Sequence, residues 1–149
     1  MAFEIPKITY SGEIKEITLG QGDQAVTVGK ETTYPFHLFE GEILHLPSIA
    51  MEVYDCPPQE WPPAAVEPFA DVLEDPVAWA QKCINQYGAE LICLQLLSAD
   101  PNGLNRTADQ IVPVVKQVAD SIDVPLIVWG CKNDEKDAEV LRGVAEACE

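Results

Sequence analysis

The sequence predicts an α/β fold, and three observations carry that expectation. Three apolar runs, "IAMEVYD" at 49–55, "ELICLQLLSA" at 90–99 and "VPLIVWG" at 124–130, have the near-continuous hydrophobicity of strands covered on both faces. Each run is followed by a segment whose apolar residues recur at helical spacing. Strand, crossover helix and next strand in that order make a parallel sheet with right-handed connections.

The elements can be justified in chain order. Residues 14–29 alternate apolar and polar side chains around Gly20-Gln21-Gly22-Asp23, so a β-hairpin is expected with Ile14–Leu19 facing Ala25–Gly29. An irregular connection from Glu40 to Pro47 then divides the chain into an extension and linker at 1–47 and an α/β part at 48–149. After the first strand, "CPPQEWPPAAVEPFADVLED" is too rich in proline for more than loop and short turns. The first helix is framed by Asp75 as N-cap, Pro76 at its first position and Gly88 just past its end, with Val77, Ala80, Ile84 and Tyr87 on one face. Thr107 and Gln110 form a capping-box pattern for the second helix, in which Pro113 predicts a kink or a later start. The third helix is expected from about Asn133, with Val140, Leu141, Val144 and Cys148 on its apolar side.

Three parallel strands cannot close on themselves, and an open sheet leaves its edges unpaired. A whole (β/α)8 barrel takes about 250 residues. The expectation is therefore an N-terminal β-hairpin followed by the first three βα units of a TIM-type barrel, with the 149 residues being a truncated part of it, and a small open α/β sandwich is the alternative.

Charge excludes several functions. A formal net charge of −16, from 9 Lys+Arg against 25 Asp+Glu, repels phosphate backbones and anionic bilayers, so neither nucleic acid nor membrane is an expected partner. The opening "MAFEIPKITYSGEIKE" lacks the basic and apolar regions of a secretory signal, and no run approaches the roughly 20 apolar residues of a membrane span. The expected location is the cytoplasm. Cys56, Cys83, Cys93, Cys131 and Cys148 show no C-x-x-C spacing and read as reduced core residues, not as metal or cluster ligands.

Ligands of parallel α/β folds bind where strand C-termini and helix N-termini converge. Those positions hold Asp55 and Cys56 after the first strand, Ser98, Asp100, Asn102, Gly103 and Asn105 after the second, and Trp129, Gly130, Cys131, Lys132 and Asn133 after the third. Asp100-Pro101-Asn102-Gly103 also reads as a plain turn, Asn133 as a helix N-cap, and Trp129 as core or as a flat wall for a planar ligand. No phosphate-cradling glycine motif accompanies them, and His37 and His45 have no nucleophile motif nearby. Glu52 and Gln95 each precede a strand-end polar residue by three positions, which predicts that they share one internal polar layer.

The segments "TLGQGDQAVTVGKETTYPFHLFEGE", "IAMEVYD", "DPVAWAQKC", "LICLQLLSADPNG" and "VPLIVWGCKNDEKDAEVL", taken in order, resemble the small-subunit family of the corrinoid iron-sulfur protein, also known as the delta-subunit family of the acetyl-CoA decarbonylase/synthase complex. The resemblance implies a (β/α)8 barrel with a β-hairpin extension, roughly twice this length. It also implies a heterodimer with a large subunit that carries a corrinoid (cobalamin) and the [4Fe-4S] cluster. Methyl groups would come from a methyltetrahydropterin methyltransferase and pass to acetyl-CoA synthase/CO dehydrogenase. On this resemblance the corrinoid docks over the barrel mouth, with Asp55, Ser98, Asp100, Asn102, Trp129 and Asn133 as contact candidates and no catalytic or metal-ligating side chain from this chain. Two other functions fit the same residues: a free-standing pterin-binding barrel methyltransferase, and a scaffold subunit that touches no cofactor.

Overall fold

The computed structural model describes residues 6, 12–34, 36–37 and 41–148. Most of the opening segment that bears on a secretory signal, and the Glu40 start of the expected connection, lie outside them. The chain divides into two units, one of Met1–Thr18 and Thr27–Pro47 and the other of Leu19–Val26 and Ser48–Glu149.

Strands β1 (Ile17–Leu19) and β2 (Val26–Val28) pair as a two-stranded sheet, shorter at both ends than the alternation suggests. A 3-10 turn over Gly22–Gln24 sits between them, and Thr18 and Thr27 share a 3.1 Å hydroxyl hydrogen bond across the pair. In the first unit His45 Nε2 also lies 2.7 Å from Glu16 Oε2, a hydrogen bond that holds the Glu16 carboxyl below its ordinary range.

The second unit contains a three-stranded parallel sheet, ordered β3 (Ala50–Tyr54), β4 (Leu91–Gln95), β5 (Leu126–Trp129). Each strand stops before its apolar run does. Leu97–Ala99, expected as strand, instead curls into a 3-10 turn that carries the chain off the end of β4.

Among the described residues four α-helices complete the order. The proline-rich stretch forms a single short α1 (Pro63–Val66) and a 3-10 turn at Glu67–Phe69, where Pro62 and Pro63 can begin a helix but not lie deep within one. Helix α2 (Pro76–Tyr87) begins with the Asp75 carboxylate accepting from the N–H groups of Val77 and Ala78, at 3.0 and 3.2 Å. It ends at Gly88, whose φ of 67° is the left-handed conformation that favours glycine.

Helix α3 (Ala108–Ser121) starts at Thr107 with the expected capping box and continues through Pro113. The imino acid forgoes one backbone hydrogen bond there, while buried Ile111, Val115 and Val118 hold both sides of it against the core. Helix α4 (Asp134–Ala147) follows Asn133, whose side chain accepts from the Lys136 N–H at 3.0 Å.

The core lies between one face of the sheet and these helices. Val53, Ile92, Leu94 and Leu96 meet Trp79, Ala80 and Cys83 of α2, Ile111, Val115 and Val118 of α3, and Val140 and Val144 of α4. Met51, Leu126 and Val128 extend that same face.

The opposite face carries Glu52 opposite Cys93 and Ile127, in register. Gln95 lies opposite Tyr54, one layer further toward the strand ends. The expected common layer of Glu52 and Gln95 is therefore not formed. Ser98 is not a strand end: β4 closes at Gln95 and Ser98 lies inside the 3-10 turn that follows, so the position three before it falls two residues beyond Cys93, the partner of Glu52. Glu52 is exposed whereas Gln95 is buried.

Among the described residues no helix is long and apolar enough to cross a membrane.

Candidate functional site at the strand ends

The C-terminal ends of β3, β4 and β5 come side by side, with Tyr54, Gln95 and Trp129 in one row. Directly beyond that row, Asp55 and Ser98 lock two loops together. The Asp55 N–H donates to the Gln95 carbonyl at 3.1 Å, which prolongs the β3–β4 ladder by one bond. Its carboxylate accepts from the Ser98 N–H at 2.9 Å and from the Ser98 hydroxyl. Ser98 is fully buried and Asp55 nearly so. A buried carboxylate needs such donors, because an unpaired one would carry a large desolvation cost. The Ser98 carbonyl in turn accepts from the Arg106 N–H at 2.9 Å, fastening the far side of the same loop.

Cys56 follows Asp55 into the buried layer. Burial pushes its thiol up to about 11, and the neighbouring Asp55 charge acts in the same direction. Neutral at ordinary pH, it is a poor nucleophile.

The loop after β5 is fastened in a comparable way. Asp137, on the first turns of α4, accepts from the Cys131 N–H at 2.7 Å and the Lys132 N–H at 3.0 Å. Gly130 makes the approach feasible, since a Cβ there would collide with the Asp137 carboxylate. Lys132 adopts a left-handed φ of 71°, which the paired amide bonds hold in place. Burial raises the Cys131 thiol pKa, with its hydrogen bond to Asp137 adding to the effect.

Between the loops after β3 and β4 lies a cleft of about 690 Å³. Tyr54, Pro57, Pro58, Trp61, Leu97 and Leu104 supply its apolar walls, while Glu60, Asp100 and Asn102 supply polar edges. The Tyr54 and Trp61 rings meet edge to face at 5.3 Å, and both contact the buried Trp79 ring. Asp100 Oδ1 accepts from the Asn102 N–H at 2.8 Å, the turn geometry expected of Asp-Pro-Asn-Gly.

The six site residues named from the sequence thus divide by depth. Asp55 and Ser98 are interior and satisfy each other; Asp100 and Asn102 line the cleft; Trp129, 55% exposed, and Asn133 stand at the end of β5 and the start of α4. Sequence reasoning missed Tyr54, Trp61, Leu97 and Leu104 as cleft walls and Asp137 as a loop clamp. The aromatic residues flanking the Pro57-Pro58 pair were the available signal for the walls. Nothing in the helical pattern of α4 distinguishes Asp137 from its other acids. Among the described residues no three His, Cys, Asp or Glu side chains gather to hold a metal ion.

Comparison with known proteins places this geometry in a family. Residues 16–149 match the family model described as the CO dehydrogenase/acetyl-CoA synthase delta subunit. The acetyl-CoA decarbonylase/synthase complex subunit delta of Archaeoglobus fulgidus is 38% identical, over 99% of this chain and 34% of its own length. Subunit delta of the same complex from Methanothermobacter thermautotrophicus is 32% identical over 99% of this chain and 38% of its own. That of Methanocaldococcus jannaschii is 28% identical, with 99% and 37% covered. The chain spans little more than a third of the length of these curated relatives. It belongs to the CO dehydrogenase/acetyl-CoA synthase delta subunit family.

Proposed function

We propose that this chain is part of a corrinoid-shielding subunit in a methyl-transferring acetyl-CoA complex. The observation that carries the reading is the Trp129 ring at the end of β5, in one row with Tyr54 and Gln95 and beside two loops pinned by the carboxylates of buried Asp55 and half-buried Asp137. A corrin ring is broad and flat with amide-bearing edges. Trp129 offers a flat wall at the end of β5, and Asn133, at the start of α4, and Asn102 and Asp100, on the loop after β4, offer hydrogen-bonding groups. The side chains gathered here are flat, apolar and hydrogen-bonding groups, a set that suits the covering of a corrin ring.

When bound, a corrinoid supplies a nucleophilic cobalt that can take up and release a methyl group. The residues of this chain exclude water and set the shape of the lid. Asp55 and Ser98 act from below by holding the loop that presents Asp100 and Asn102. Asp137 holds the loop that follows Trp129. No side chain here has to form a covalent bond.

In this reading residues 48–149 are part of a (β/α)8 barrel and residues 1–47 an extension to it, within a cytoplasmic protein. Further strands would cover the sheet face that bears Glu52. The partners are a large subunit with the corrinoid and the [4Fe-4S] cluster, a methyltetrahydropterin methyltransferase and acetyl-CoA synthase/CO dehydrogenase.

The test is the visible spectrum of the anoxically purified complex, carrying the full-length subunit with Trp129→Ala. Weaker corrinoid retention at unchanged subunit assembly is the expected result. Retention that is indifferent to Trp129→Ala and to removal of the whole subunit would leave only a scaffold role. Methyl transfer by the subunit alone, without a corrinoid partner, would favour a pterin methyltransferase instead.

A further inference from the structure

We infer that the cleft between the loops after β3 and β4 seats an arginine side chain presented by a partner subunit. The inference rests on the reading above that the chain works within a multi-subunit complex, and it adds the chemistry of one contact. Two kinds of wall converge in the cleft. The Tyr54 and Trp61 rings, 5.3 Å apart and edge to face, stand with Leu97 and Leu104 as an aromatic and apolar lining. Glu60 and Asp100 bring carboxylates to the same space, and no Lys, Arg or His lines it.

Neither acid has a cationic partner among the described residues, where the ion pairs are His45 with Glu16 and Lys82 with Asp71. Asp100 Oδ1 is engaged by the Asn102 backbone N–H at 2.8 Å and side-chain amide at 3.3 Å, which leaves Oδ2 for an incoming donor.

A guanidinium satisfies this combination. It is planar, stacks on aromatic faces, is weakly hydrated for a cation and presents several N–H groups to a carboxylate. An ammonium would match the charge but not the flat contact. A protein segment is favoured over a small cation because the cleft is an open groove whose rim residue Leu104 remains 54% exposed. An aliphatic side chain at that position is covered when a polypeptide crosses the groove. The net charge of −16 acts at longer range, drawing a basic segment in and disfavouring acidic ones.

Binding of the full-length subunit to its isolated partner subunits, measured at two salt concentrations, tests the inference. Glu60 is exposed and makes no hydrogen bond that the fold needs, so Glu60→Lys leaves folding intact while placing a cation in the cleft. Asp100→Asn keeps the Oδ1 acceptor for Asn102 but removes the charge. Affinity should fall at least about tenfold in Glu60→Lys, and more in the double variant, with a shallower salt dependence. Glu74→Lys, an exposed change of equal charge outside the cleft, should bind like the parent. Parent-like affinity and salt slope in the double variant, or an equal loss in Glu74→Lys, would overturn the arginine contact. Corrinoid absorbance is read in Glu60→Lys, which leaves Asp100 and the other proposed corrinoid contacts unchanged, so either idea can fail while the other stands.

Discussion

The carboxylate of Asp55 accepts both the backbone N–H and the hydroxyl of Ser98, a residue 43 positions further along the chain. That one buried pair joins the end of β3 to the turn after β4 and fixes the distance between the two loops that frame the cleft.

Substituting Asp55 should therefore cost more than an average core polar change. Asp55→Asn preserves volume but turns an amide N–H₂ toward Ser98, itself a donor, and the expected loss is about 1–3 kcal/mol in urea unfolding. Ser98→Ala removes the hydroxyl and keeps the N–H donor, for about 1–3 kcal/mol. In a double-mutant cycle the two losses should be less than additive.

Gly130 and Asp137 give a second coupled pair. Gly130→Ala should destabilise by about 1–3 kcal/mol, because the new methyl group forces the Asp137 carboxylate off the Cys131 and Lys132 amides. Asp137→Ala alone should cost a similar amount. Adding Gly130→Ala to Asp137→Ala should then cost little, since the group it collides with is gone. Additive losses in thermal unfolding would contradict this account.

Alkaline pH should act through buried thiols. Cys56 and Cys83 are each pushed up to about 11, chiefly by burial, from an ordinary value of 9.0. Above pH 9 the unfolded chain releases thiol protons that the folded chain keeps, so stability should be intact below pH 9 and fall as the pH climbs toward about 11. The same shift makes iodoacetamide labelling of these two thiols in the native protein about a hundredfold slower at pH 8 than that of a free thiol, from ionisation alone. Mass spectrometry of labelled peptides measures this directly.

Glu52 supplies a contrasting prediction. It is exposed and lies opposite Cys93, not Gln95. Glu52→Gln in the chain of 149 residues should therefore change stability by less than about 0.5 kcal/mol. A large loss in chemical unfolding would restore the internal polar layer that the spacing suggests.

Local chemistry determined much of this molecule in advance. Asp75, Pro76 and Gly88 bound α2 because a carboxylate N-cap, a ring-locked φ and a left-handed terminus are properties of single residues. Thr107 with Gln110, and Asn133, act as caps for the same reason. The parallel order β3-β4-β5 follows from apolar runs separated by amphipathic crossovers.

What the tertiary structure alone decided is register and pairing across distance. The 3-10 turn at Leu97–Ala99 carries Ser98 off the end of β4 and delivers it to Asp55, and the register that pairs Glu52 with Cys93 separates Glu52 from Gln95. Composition cannot reveal that Asp55 and Ser98 will face each other in the interior while Asp100 and Asn102 line the cleft. Such choices depend on which buried donors find acceptors once strands from distant parts of the chain lie side by side, and that balance exists only in the folded state.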